Sequence, residues 1–190
     1  MSQINFHLLD IKDQVNGDKR AIVSGKLGSW MMKVAKLVSG VTAVEITWST
    51  GSGRPSPGPT DIVVYVTTDV DRSVIAVNGG DISEPESNGK VLGFTSANPT
   101  HKSALSEVYS ARCFSPLEMA GAAFHEAAHN KSLQGNEMHK GQDGLLKSSP
   151  DYGFDPSDAN LKFFAQFVQN EVKQTIVSQG TLNKRWFTGG

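Results

Sequence analysis

Hydrophobic and polar residues alternate from the first few positions of the chain. In residues 4–11 (INFHLLDI), Ile4, Phe6 and Leu8 share one face, which predicts a first strand; His7 falls on the other face, where it is expected to be solvated. Asn16-Gly17 marks a turn. The period then changes. Over residues 25–39, Trp30, Val34, Leu37 and Val38 recur at helical spacing with Lys33 and Lys36 between them, predicting an amphipathic helix closed by Gly40. Residues 41–49 (VTAVEITWS) alternate again as a second strand, and the Gly/Pro/Ser-rich residues 50–60 form a loop. Residues 61–68 (DIVVYVTT) are almost continuously apolar and β-branched, as in a central strand buried on both faces. A short strand is expected at 74–77, an acidic turn-rich loop at 78–90, an edge strand with Gly93 inside it at 91–96, and one more strand at 107–112. A helix begins after Ser115, residues 135–157 are loop-rich, and a long helix is expected over 158–178. Its apolar stripe is Leu161, Phe164, Ala165, Val168, Val172 and Ile176, and Gly180 ends it. This order predicts an α+β fold: a mixed twisted sheet with an N-terminal helix, a central helix and a C-terminal helix. One domain is expected over 1–190, sheet-rich up to residue 114.

Composition narrows the field. The 190 residues carry a formal net charge of −1, and no basic run points to nucleic acid. Cys113, alone, rules out an internal disulfide framework or a cysteine-rich zinc site, and reads as a small buried hydrophobe. No stretch is long and apolar enough to span a membrane. The N-terminus lacks the apolar core of a secretory signal, so synthesis in the cytoplasm is expected, with any export by a non-classical or injection route, as for a toxin delivered into another cell. Asp81, Glu84 and Glu86 are acidic neighbours, but their spacing matches no calcium loop.

The chemistry concentrates in residues 115–139, SPLEMAGAAFHEAAHNKSLQGNEMH. Ser115, Pro116 and Glu118 form the start of a capped helix, and the residues after them are Ala-rich and apolar. Within it, His125-Glu126-Ala127-Ala128-His129 is an H-E-x-x-H pattern. Residues four apart share a helix face, so His125 and His129 can reach one metal ion, and Glu126 is placed to take a proton from a water polarised by it. A catalytic zinc site takes three protein ligands and leaves a position for water. His139 is the first choice for the third, with Gly135 turning the chain back; Asp143 comes second, and Glu171, on the expected C-terminal helix, third. His101 reads as a surface loop residue.

These residues resemble the metzincin clan of zinc endopeptidases, whose long motif is H-E-x-x-H-x-x-G-x-x-H followed by a Met-turn and a final helix. His125, Glu126 and His129 match directly. Ser132 and Gly135 stand at the clan's glycine and third-histidine positions, so His139 fits through a longer loop, and Gly144-Leu145-Leu146 stands near the Met-turn with leucine for methionine. The resemblance implies a zincin-like fold, a Zn2+ cofactor, and hydrolysis of a peptide or protein substrate with Glu126 as general base. It also implies that Gly93 and its edge strand line the cleft, where an extended substrate adds as an antiparallel strand, and that Tyr152 lends its hydroxyl to the oxyanion or to the metal. Two alternatives stand beside it: a zinc-stabilised structural or injected-particle protein without catalysis, and an intracellular regulatory protease using Glu171 as third ligand.

Overall fold

The computed structural model describes residues 2–51 and 55–177. The chain opens with β1 (Ser2–Asp10), α1 (Gly17–Lys36) and β2 (Val41–Thr50), a right-sized unit for two parallel neighbours joined by a helix. β3 (Ile62–Thr67) pairs on the other side of β1, also parallel. Two short helices, α2 (Val74–Val77) and α3 (Ser83–Ser87), precede β4 (Gly93–Asn98) and β5 (Ser103–Tyr109). β5 pairs parallel with β3, and β4 folds back antiparallel on β5. The strand order is β2-β1-β3-β5-β4, so β4 is outermost. α4 (Pro116–Ser132), α5 (Asp158–Phe167) and the two-residue β6 (Lys173–Gln174), parallel to β5, complete the described α-helices and strands. The fold is mixed α+β, as the pattern predicts. No helix among the described residues is long and apolar enough to cross a membrane.

The main core lies between one face of the sheet and α1, α4 and α5. Phe124 of α4 sits at its centre, edge-on to Trp30 of α1 (centroids 5.9 Å apart) and to Phe164 of α5 (5.0 Å). A smaller apolar cluster, including Leu9, Val63, Tyr65, Ile75 and Ile82, covers the other face under α2 and α3. With both faces covered, every residue of β3 is buried, in keeping with its unbroken apolar run.

Several elements depart from the sequence pattern. α1 begins at Gly17 rather than residue 25, because Asn16 is its N-cap, accepting a hydrogen bond from the Lys19 amide, and Val23 and Leu27 are already on the buried face. Val74–Val77 is a helical turn, not a strand. Ser73 caps it, and the buried carboxylate of Glu107 accepts from the Val74 and Ile75 amides, overriding their β-branched preference. The loop expected at 78–90 contains α3. His7 is paired rather than solvated: its ring meets Thr47 Oγ1 (2.6 Å) and Asp61 Oδ2 (3.3 Å). The expected C-terminal helix stops at Phe167. Val172 and Gln174 are buried in an extended segment while Glu171 and Lys173 are exposed, so the apolar positions 172 and 176 that fitted a helical period also fit a period of two. Ser178 and Gly180 lie outside the described residues.

Two outcomes follow for stability and accessibility. Phe124→Ala is expected to destabilise the protein by about 3–5 kcal/mol in urea unfolding, since it empties the centre of the aromatic stack. Cys113 is buried, which pushes its thiol up to about 12. Labelling by iodoacetamide at pH 8 should therefore be negligible in the folded protein and complete in urea.

Candidate metal centre

α4 presents its chemistry from within the core. Ser115 accepts from the Glu118 amide while Glu118 accepts from the Ser115 amide, a complete capping box with Pro116 in the first turn. From Met119 to Lys131 every residue is buried, including His125, Glu126, His129, Asn130 and Lys131. Buried polar groups need partners, and each of these has them. Lys131 Nζ donates to the carbonyls of Thr60 and Asn170, tying the helix end to the approach to β3 and the segment after α5. Burial lowers its pKa to about 8, against the opposing charges of Asp61 and Glu171.

The helix ends at Leu133, which adopts the left-handed conformation (φ 56°). The reversal is therefore made by Leu133; Gly135, expected to make it, has φ −82°. A 3-10 turn, Asn136–His139, then brings His139 back over α4. One ligand atom from each of His125, His129 and His139 lies within 4.8 Å of the others, the arrangement of a group that can hold a metal ion.

The ring nitrogens away from this centre are all tied to backbone carbonyls. His125 Nδ1 meets Leu145 O (2.5 Å), His129 Nδ1 meets Gln134 O (2.7 Å) and His139 Nδ1 meets Leu146 O (2.9 Å). A carbonyl only accepts, so each Nδ1 carries the proton and each Nε2 is left as a bare lone pair. Nε2 of His125 and of His129 stand 3.1 Å apart with no proton between them. Two lone pairs at that distance repel. Two nitrogens bound to one tetrahedral zinc at its usual bond length stand roughly 3.3 Å apart, so a cation removes the repulsion with little movement. Burial, with the charges of the other two rings, holds His125 well below the usual imidazole range. Burial likewise brings His129 down to about 4. Both rings are thus neutral and able to ligate at physiological pH.

Glu126 is buried beside them and lines the same cleft. Its Oε2 accepts from Thr95 Oγ1 of β4 at 2.7 Å. Burial pushes its pKa up to about 8, opposed by that hydrogen bond. The approach of β4 to the carboxylate depends on Gly93: a Cβ there would lie 2.7 Å from Glu107 O and 2.8 Å from Glu126 Cγ. The Tyr152 ring stands edge-on to His125, centroids 5.7 Å apart, held close because Gly121 of α4 admits the Tyr152 backbone where a Cβ would meet its carbonyl at 2.9 Å. Burial raises the Tyr152 hydroxyl well above its ordinary range. Together these groups line an open cleft of about 1100 Å³, with Phe94, Arg112 and the almost fully exposed Phe114 farther along it.

The two other third-ligand candidates lie elsewhere. Asp143 is engaged by Ser157 Oγ (2.5 Å) and Asn160 Nδ2 (3.2 Å). Glu171 lies beyond α5, not on it, and lines a separate cleft with Pro57 and His101. Among the described residues, no other His, Cys, Asp or Glu joins the three histidines.

Two contributors escape sequence reasoning. Asn160, in the first turn of α5, accepts from the Leu145 amide and donates to Asp143 O, fixing the turn whose carbonyls hold His125 and His139. Its only signal is the Ser157-x-x-Asn160 spacing of a capping box. Thr95 has a weaker one, a hydroxyl two residues from Gly93 on the same strand face. Comparison with protein-family models, curated proteins and solved structures finds no match to this chain.

The geometry makes a direct demand on metal content. Elemental analysis of zinc-reconstituted protein should find about one zinc per chain in wild type, Asp143→Ala and Glu171→Ala, and little in His125→Ala, His129→Ala or His139→Ala.

Proposed function

We propose that this chain is a zinc-dependent endopeptidase that hydrolyses peptide bonds of a protein substrate. The observation that carries the reading is the convergence of three histidines, each turned to ligate through Nε2, beside a buried carboxylate at the wall of an open cleft. The metzincin-like reading of the sequence draws support from the same features: a third histidine from the loop after the H-E-x-x-H helix, a buried 144–146 turn beneath it, and an outermost antiparallel strand beside the carboxylate.

When bound, zinc supplies Lewis acidity, polarising the scissile carbonyl and making a water acidic enough to lose a proton near neutral pH. The chain's own groups do the rest. Glu126 takes that proton as the water attacks the carbonyl carbon. It then gives the proton to the amine nitrogen as the C–N bond breaks. Tyr152, whose ring packs against His125 in the cleft lining, supports the developing oxyanion in this reading. β4 keeps one edge without a strand partner among the described residues, and its residues Gly93, Phe94 and Thr95 line the cleft, so an extended peptide adds there antiparallel. A purely structural zinc site ordinarily closes with four protein ligands; three here favour the catalytic reading.

The carboxylate's role separates binding from turnover. Glu126→Gln should keep wild-type zinc content yet lose roughly 10²–10⁴-fold in hydrolysis of internally quenched peptides. Cleavage by Glu126→Gln at the wild-type rate would sink the mechanism.

A further inference from the structure

The bond from Thr95 to the Glu126 carboxylate is backed by others. Ser106 of β5, Asn130 of α4 and Gln174 of β6 are all buried, and they form a line that ends on that carboxylate. Gln174 Nε2 donates to Asn130 Oδ1 (2.9 Å), and Asn130 Nδ2 returns a bond to Gln174 Oε1 (3.0 Å). Gln174 Nε2 also donates to the Asp61 carbonyl (3.1 Å), which can only accept, so the pair has one orientation and the way the Asn130 amide faces is fixed. The second Nδ2 proton of Asn130 goes to Ser106 Oγ (2.9 Å). Thr95 Oγ1 lies 2.9 Å from Ser106 Oγ and 2.7 Å from Glu126 Oε2. A hydroxyl has one proton. Both hydroxyls also reach the Glu126 carbonyl, but Oε2 is the nearer acceptor for Thr95 (2.7 Å against 3.1 Å). Thr95 Oγ1 is the nearer acceptor for Ser106 (2.9 Å against 3.5 Å), so Thr95 donates to Oε2 and Ser106 donates to Thr95. From Asn130 onward every bond then points the same way, toward Glu126, and bonds so aligned polarise one another.

We propose that Thr95 is the positioning residue of the general base: fed by the Gln174–Asn130–Ser106 line, it holds Oε2 of Glu126 and leaves Oε1 as the oxygen that takes the proton. Oε1 accepts no hydrogen bond from a described residue, and Gly93 makes room for it, since a Cβ at that position would stand 3.1 Å from Oε1. Positions 93 and 95 share one face of β4, so a single stretch of edge strand both admits the carboxylate and fixes its rotation. The assignment of Oε1 rests on the hydrolase reading; the clamp itself does not.

The test reads the carboxylate directly. The infrared difference spectrum between wild type and Glu126→Gln isolates the Glu126 band, and the same difference is taken in Thr95→Val and Thr95→Ser backgrounds. The expected result is a displaced carboxylate stretch in Thr95→Val, restored in Thr95→Ser. With it should come a roughly ten- to hundredfold fall in kcat on quenched peptides, at unchanged KM and zinc content, that the serine variant largely recovers. An unmoved band in Thr95→Val overturns the clamp. A displaced band with wild-type kcat overturns its role in positioning the base. Wild type that neither binds zinc nor cleaves peptides sinks the hydrolase reading instead, and the infrared comparison still decides whether Thr95 holds Glu126.

Discussion

A helix buried on every side cannot leave a polar side chain without a partner, and this constraint organises the second half of the molecule. α4 runs through the core between the sheet and the other long helices, yet its last turns carry two histidines, a glutamate, an asparagine and a lysine. Each draws a different part of the chain onto it. Lys131 fixes the approach to β3 and the end of α5, Asn130 brings in β6, Glu126 brings in β4, and the histidines hold the segment from Gln134 to Leu146. The polar groups therefore determine tertiary structure as much as the apolar face does. Phe124 locks the helix in place, and the polar side chains set what surrounds it.

The sheet and the site are consequently one mechanical unit. β4 is the outermost strand, but it is pinned from both sides: by its ladder to β5 and by the contact of Gly93 and Thr95 with Glu126. Glu107, on the adjacent strand, is buried with four donors around it, from Ser73, Val74, Ile75 and Tyr109, and so ties α2 to the same edge. Burial nonetheless raises its pKa. Two carboxylates thus flank the strand, one serving the fold and the other facing the cleft.

Much of this was legible in the residue pattern, and the failures have identifiable causes. The α+β order, the central strand 61–68, the edge strand and the capped helix after Ser115 all follow from short-range periodicity and capping chemistry. The pattern misled where a long-range partner decides. Val74–Val77 is helical because a distant carboxylate receives its amides, and residues 172–174 are extended because their neighbours are β5 and Asn130, with an apolar spacing that suits either period. At the site, the two helical histidines and the carboxylate are readable from spacing alone. His139 emerges from the loop by its residue type. The carbonyls of Gln134, Leu145 and Leu146 have no sequence signature at all, since every residue has a carbonyl.

That last point bears on how such a centre drifts over evolutionary time. Side-chain supports vanish with one codon change, but a main-chain oxygen survives any substitution that preserves the local path. The identities at positions 134, 145 and 146 are thus constrained by packing alone: apolar for the fully buried Leu145 and Leu146, looser for Gln134. Lineages sharing this centre can retain the orientation of all three imidazoles while their letters diverge nearly everywhere outside a five-residue pattern and one loop histidine.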